Sequence, residues 1–324
     1  RYGSYVHIEA LAADYLEDHF PEDSDGNLYK KKRPDVKWPY RSGNINSYLS
    51  DGWSKSSNSS ANDWGDLDTF MFVMNNASTS NYLDEVGQVV NVEQWTRWFA
   101  VNTLLNNRET NLSSGTDDDY TMYRGMLDPR FMLVPHDLDT IFGLGDTSTN
   151  PTDTLFPMID SGFGGQAMPQ LVPFMQEPAV ARMYYGALKE LVQTLFSEAE
   201  LEPFLDNGLG SDWVPQNVID QMKDFMDVRR VHILDTIPSN LSTTSNLPVV
   251  SGFPQTDDAG VSGLSGTIDS VNTYRVAVNG LDAPIDPYNG TWSAPGDLVL
   301  NPGLHAVVVE AFGGGARLEA VEHP

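Results

Sequence analysis

The sequence predicts an α+β domain over residues 1–237, followed by a small all-β sandwich over residues 249–324. Three observations lead there. The first part mixes strand-like alternation with helical apolar spacing. Residues 238–248 are dominated by Ser, Thr and Asn and read as a linker. Beyond them, short alternating runs are separated by Asn-Gly, Pro-Gly and Gly-Gly turns, the spacing of a sandwich.

Tyr5-Val6-His7-Ile8-Glu9 alternates apolar and polar residues as a half-buried strand does. Leu11, Tyr15, Leu16 and Phe20 then fall at helical spacing, and Pro21 ends that helix. A turn at Asp23-Ser24-Asp25-Gly26-Asn27 leads through Leu28-Tyr29-Lys30 into a basic patch ending at Arg33. Residues 41–65 are rich in Ser, Asn, Gly and Asp, which predicts a long surface loop. Leu67, Phe70, Met71 and Met74 predict the next helix.

The clearest helix runs from Val92 to Leu105, with Asn91 as N-cap, Gln94 completing a capping box, and Trp95, Trp98, Phe99 and Leu105 as its buried stripe. A polar loop over 106–119 precedes two strands, Tyr120 to Arg124 and Arg130 to Pro135. The second runs straight into His136-Asp137-Leu138-Asp139. Residues 144–170 read as loop, and helical patterning returns at 179–196 and 214–234. In the sandwich, Tyr274 to Val278 and Ala306 to Val309 are strands, and Trp292 reads as core, with sugar binding as the alternative.

The 324 residues carry a formal charge of −26 and no cysteine. Disulfides, zinc-thiolate sites and thiol nucleophiles are thereby excluded. Such a surface repels nucleic acid and anionic lipid, and favours divalent cations and basic protein partners. No apolar run approaches the ~18 residues that suggest a membrane span. The chain begins at Arg1, which reads as a fragment or processed form, so the missing signal peptide is silent on export.

Acidic residues gather where chemistry is expected. Asn107 and Glu109 follow the Trp-rich helix, Asp117-Asp118-Asp119 lie in the loop, and Asp137 and Asp139 close the strand pair. Phosphoryl transfer needs divalent cations against the phosphates and a carboxylate to orient the attacking hydroxyl. Other readings stand beside this one. Asp137 and Asp139 also suit a Ca²⁺ site or a hydrogen-bonded turn, and Glu109 a salt bridge to Arg108 or Arg124. Lys30 also suits a solvated cluster with Lys31, Lys32 and Arg33, and the three aspartates a solvated loop. His136, lacking a His or Cys partner, reads as packing.

Five stretches carry a resemblance: Gly3-Ser4-Tyr5-Val6-His7-Ile8-Glu9, Gly26-Asn27-Leu28-Tyr29-Lys30, Leu104-Leu105-Asn106-Asn107-Arg108-Glu109, Asp119-Tyr120-Thr121-Met122-Tyr123, and Val134-Pro135-His136-Asp137-Leu138-Asp139-Thr140-Ile141-Phe142-Gly143. In this order they resemble the CotH family of spore-coat and surface proteins, over residues 1–237. That family has an atypical protein-kinase-like fold, and some members phosphorylate Ser of secreted or coat proteins. The resemblance implies a CotH-like kinase fold here, in part, followed by an immunoglobulin-like sandwich that need not be complete.

It also implies roles. Asp137 would ligate Mg²⁺ or Mn²⁺, Asp139 would assist it, and Asp119, where the family has Asn, joins them as a metal candidate. Glu109 stands where the family has Asp and would position the acceptor hydroxyl. Glu9 resembles a hinge position beside the adenine of ATP, and Lys30 belongs to the nucleotide side of the cleft. The implied activity moves the ATP γ-phosphate to Ser or Thr of an exported, basic protein, in a secreted or cell-envelope setting. The alternatives are a catalytically inactive pseudokinase and an extracellular attachment module binding Ca²⁺ or glycan.

The sequence also departs from the family. Glu for Asp at 109 adds a methylene, and misplacement by about an ångström can cost on the order of 100-fold in rate. His136 replaces a Trp, and the loop between Glu109 and Asp137 is longer than usual. The family's upstream glycine turn and phosphate-contacting Lys are expected outside this sequence, so weak nucleotide binding is expected of the chain alone.

Overall fold

Of Leu11, Tyr15, Leu16 and Phe20, the middle two lie in a helix, α1 (Ala13–His19), with Leu16 fully buried; Leu11 and Phe20 flank it and pack against the same core. A computed structural model describes residues 9–145, 149–160, 167–256, 263–314 and 316–323. The strand expected at residues 5–9 falls, except for Glu9, outside the described residues. By their contacts the residues divide into two units, Arg1–Met175 with Ala187–Leu234, and Gln176–Gly186 with Asp235–Pro324.

In the first unit β1 (Asn27–Lys31) follows α1, and then come α2 (Ile45–Ser50) and β2 (Trp53–Lys55). The surface loop expected over 41–65 is therefore corrected to a helix and an edge strand. Trp53 is buried and sits opposite Lys31 in the ladder, so one aromatic anchors a segment whose composition is otherwise that of a loop. Next are α3 (Gly65–Asn76), whose Leu67, Phe70, Met71 and Met74 are all buried, α4 (Tyr82–Val86) and α5 (Val92–Leu105).

Strands β3 (Tyr120–Arg124) and β4 (Phe131–Val134) complete an antiparallel sheet of order β2-β1-β3-β4. One face carries Leu28, Tyr123 and Val134 against Leu16 of α1. The other packs aromatics: Phe131 lies 5.1 Å from Phe70, and Trp95 lies 5.9 Å from Trp38, between ring centroids. Such pairs add roughly 0.5–1.5 kcal/mol each beyond the area they bury.

Helix α5 is the support of the later site. Asn91 caps it, its side chain accepting from Gln94 N at 3.2 Å. The Gln94 side chain engages β4 rather than closing a capping box. It donates to Leu133 O (2.7 Å) and accepts from Leu133 N (2.9 Å), while Trp95 Nε1 donates to Phe131 O at 2.8 Å. The helix is thereby bolted to the strand that leads to Asp137. Helices α6 (Leu171–Gln176), α7 (Pro178–Gln193), α8 (Glu198–Trp213) and α9 (Gln216–Thr236) follow. Arg229 of α9 is fully buried and donates to Thr103 O (2.7 Å) and Asp153 O (2.6 Å), fastening the end of α5.

The second unit holds β5 (Thr244–Ser245), β6 (Val249–Val250), β7 (Phe253–Pro254), β8 (Leu264–Thr267), β9 (Arg275–Val278), β10 (Leu281–Ala283), β11 (Ile285–Asp286), β12 (Thr291–Ser293), β13 (Val307–Gly313) and β14 (Ala316–His323). Two antiparallel sheets, β10-β9-β13-β14 and β11-β12-β8-β5, share a core that includes Leu264, Val276, Val278, Trp292 and Val309. Asn279-Gly280, both at positive φ, make the tight β9–β10 turn. Trp292 is core, and its Nε1 donates to Ser242 O at 2.9 Å. Residues 238–248, read as a linker, instead contribute β5 and the buried Leu241 to the sandwich. From the middle of α7, Tyr185 Oη donates to Tyr288 O at 3.0 Å within the same unit.

Candidate functional site

Antiparallel register brings distant parts of the chain to one end of the first sheet. Lys30 and Lys31 lie opposite Thr121 and Tyr120, and Thr121 lies opposite Val134. Asp119 thus enters β3 at the end where His136-Asp137 leaves β4. Opposed residues share a face and neighbours alternate, so Lys30, Thr121 and Val134 line one side, and Lys31 and Tyr120 the other.

The charges at this end act on one another. Partial burial and then the like charge of Asp139 raise the Asp137 carboxyl above its ordinary value; Asp119 adds to this, while His136 and Lys30 oppose it. Burial and then Lys32 lower the Lys30 ammonium, with Asp119 and Asp137 opposing. Burial and then Lys30 lower the His136 ring, against Asp137 and Asp119. Asp119, Lys30, Asp137 and Asp139 are therefore one electrostatic cluster. Asp119 (φ 50°) and Asp137 (φ 47°) both hold left-handed backbone, which Asp tolerates better than most residues and which recurs at functional turns.

A second loop is tied beneath them. Helix α5 ends at Asn106, also left-handed, and the chain folds back. Asn107 Nδ2 donates to Asn102 Oδ1 at 2.8 Å and to Asp137 O at 3.3 Å. The Thr110 hydroxyl donates to the His136 carbonyl, Arg108 N to Thr140 O (3.2 Å), and Phe142 N to Leu105 O (3.0 Å). Thr140 Oγ1 in turn donates to Glu109 Oε1 at 3.1 Å. The loop carrying Glu109 and the loop carrying Asp137 and Asp139 are thus one hydrogen-bonded body. Gly145 closes it: at φ 106°, a Cβ there would stand 2.5 Å from Thr140 Oγ1.

Glu9 is engaged elsewhere. Its carboxylate meets His19 Nε2 at 2.9 Å, and it is not among the charges acting most on Asp137, Lys30 or His136. Arg108 approaches Asp153 at 4.0 Å, and Arg124 donates to Gly125 O. Lys31, one residue from Lys30 but on the other face, is fully buried and pairs with Asp117 at 3.3 Å. Burial drives the Asp117 carboxyl up to about 7 despite Lys31 and the Tyr120 hydroxyl. Sequence reasoning missed Thr110, Thr121, Thr140 and the Lys31 pair. Strand alternation could have separated Lys30 from Lys31, but nothing local reports a partner 86 residues away.

Among the described residues no three His, Asp or Glu side chains form a ready metal-holding group. Mg²⁺ does not require one: it often takes one or two carboxylates and completes its shell with phosphate oxygens and water. Exposed Asp137 and Asp139 beside half-buried Asp119 fit that use. Two shielded polar atoms at the same end, Thr121 Oγ1 and His136 Nδ1, have no hydrogen-bond partner, although buried polar atoms nearly always do.

The CotH kinase protein family matches residues 1–208 of the 324. The chain belongs to the CotH kinase family. No curated protein matches it closely enough to count as a relative. The CotH match ends within α8, short of the expected 237, and contains every element that builds the cluster. A kinase-like function, with nucleotide and protein as substrate classes, follows for this CotH domain. No helix among its described residues is long and apolar enough to cross a membrane.

Proposed function

We propose that the chain transfers the γ-phosphate of ATP to Ser or Thr of an exported, basic protein. The observation that carries this is the union of two loops. Asn107 and Thr110 hold the carbonyls of His136 and Asp137, and Thr140 holds Glu109, so acceptor-side and metal-side carboxylates move as one. Asp137, with Asp139 and Asp119, would hold Mg²⁺ or Mn²⁺. The cation supplies neutralisation of phosphate charge, as in phosphoryl transfer generally. Lys30 offers a cation to the nucleotide from the same sheet end. Glu109 accepts a hydrogen bond from the acceptor hydroxyl, orients it and takes its proton. The assignment of Glu9 to the adenine has no support in its contact with His19. The net charge of −26 favours a basic acceptor.

One observation favours a second reading. Glu109 Oε1 already accepts from Thr140, as a purely structural carboxylate would, which suits a nucleotide-binding member that has lost catalysis.

Thermal unfolding with Mg²⁺ or Mn²⁺, with and without ATP, beside Asp137→Ala, tests the site. A nucleotide-dependent rise that needs both the cation and Asp137 is expected at ATP concentrations high enough to offset the weak binding of the chain alone, since a ligand at 100 times its Kd stabilises by about 2.7 kcal/mol. Labelled ATP with basic acceptor peptides then separates the readings: transfer supports the first, and binding without transfer the second. A rise with Ca²⁺ alone, indifferent to ATP, sinks both.

A further inference from the structure

Asp117, Asp118 and Asp119 stand in a row and repel one another, yet a basic segment grips the loop that carries them. Lys31 Nζ donates to Asp117 O at 2.5 Å and pairs with its carboxylate at 3.3 Å, both side chains being fully buried. Tyr120 Oη donates to Asp117 Oδ1 at 2.7 Å and accepts from Trp38 Nε1 at 2.5 Å. Asp35 Oδ1 accepts from Asp117 N at 3.0 Å, Arg33 pairs with Asp118 at 3.3 Å, and Lys37 donates to the Gly115 carbonyl. Two of the three aspartates are thereby taken up. The third, Asp119, follows in left-handed backbone and is the one whose charge reaches Lys30 and Asp137.

A buried ion pair is a poor way to gain stability, because desolvation offsets most of the attraction and an apolar pair of similar volume often does as well. Its use here is geometric. We infer that the Lys31–Asp117 pair is a positioning device that fixes Asp119 beside Asp137 for a divalent cation. Lys31 acts through Asp117 and the short backbone segment that joins Asp117 to Asp119. The inference rests on the phosphotransfer reading of the site and goes beyond it by assigning the second lysine of β1 to the metal side.

The test is Mn²⁺ binding by the full chain in the presence of ATP, followed by calorimetry, with thermal unfolding and amide hydrogen exchange alongside. Lys31→Met leaves a buried carboxylate without its cation and can fail to fold, so the decisive variant combines Lys31→Met with Asp117→Leu. That variant is expected to unfold within a few degrees of the unsubstituted chain. It should bind Mn²⁺ roughly 10–100-fold more weakly, the usual cost of losing a residue that orients a metal ligand. Amide exchange at residues 116–120 should quicken, while exchange in α5 stays the same. Lys31→Arg, which keeps the charge with a different reach, should lose less affinity than the double variant. Unchanged Mn²⁺ affinity in the folded double variant, or in Lys31→Arg should the double variant not fold, overturns the positioning role and leaves the phosphotransfer reading standing. Absence of Mn²⁺ binding by the unsubstituted chain overturns that reading, and the positioning role with it.

Discussion

Glu109 carries two loads at once. Its Oε1 takes the Thr140 hydroxyl, and its own N–H donates to Asn107 Oδ1 at 3.0 Å, so the side chain is aimed by groups that also touch the Asp137 loop. If it is the group that orients the acceptor hydroxyl, Glu109→Gln should lower kcat about 100-fold or more while leaving ATP affinity nearly unchanged, because proton acceptance is lost and shape is kept. Steady-state transfer kinetics beside nucleotide titration measure the split, and equal kcat in the two proteins would remove Glu109 from catalysis. At this scale the sequence was readable where chemistry is local. Strand β4 runs straight into Asp137 and Asp139, and the helix end presents Asn107 and Glu109. It was unreadable where a role depends on a distant partner: Glu9 lies beside His19, and Lys31 is defined by Asp117.

Elements hold the site by their ends. The β3–β4 hairpin keeps its strands in register through Asp23, whose carboxylate accepts from Met126 N (2.7 Å), Leu127 N (2.9 Å) and Asp128 N (3.1 Å) across the turn. Burial alone would raise that carboxyl, but the three backbone donors outweigh it and hold it below its ordinary value. A group depressed in the folded state stabilises above its unfolded pKa, and that stability is lost as pH falls through the folded value. Asp23→Asn should therefore cost about 1–2 kcal/mol near neutrality, discounted for its partial exposure. The gap between the two proteins should close as pH drops below about 4. Chemical unfolding across pH checks this, and a gap that persists at pH 2 would assign the effect to packing. Gly145→Ala should loosen the Asp139–Thr140 loop for a different reason, since both its positive φ and the Thr140 side chain exclude a Cβ. A lower melting temperature and faster amide exchange at residues 139–145 are the expected readouts. The helices with strong apolar spacing, α3, α5, α7 and α9, were legible to within a few residues. Segment 41–65 and residues 238–248 were not, because polar composition hides single anchors such as Trp53 and Leu241 whose partners come from far along the chain.

On the whole molecule, charge is the property that reaches furthest. The chain has 19 Lys and Arg against 45 Asp and Glu, and several of the cations are paired with carboxylates. Lys31 and Arg33 serve Asp117 and Asp118, Arg41 serves Asp51, Arg97 serves Glu190, and Lys223 serves Asp206. Each such pair removes one charge of either sign, so the excess of 26 negative charges stands, and a protein acceptor meets a negative field before it meets the site. Such fields raise encounter rates for oppositely charged partners and are screened over about 10 Å at 0.1 M salt. The proposed transfer to a basic acceptor should then show a KM that rises several-fold between about 0.05 and 0.3 M salt, with kcat nearly constant, because steering acts on encounter rather than on the chemical step. Replacing acceptor lysines with glutamates should reverse the salt trend, since screening then relieves repulsion. A KM independent of salt for both acceptors would mean that recognition is made by short-range contacts at the site. The excess of 26 negative charges would then serve solubility and not substrate choice.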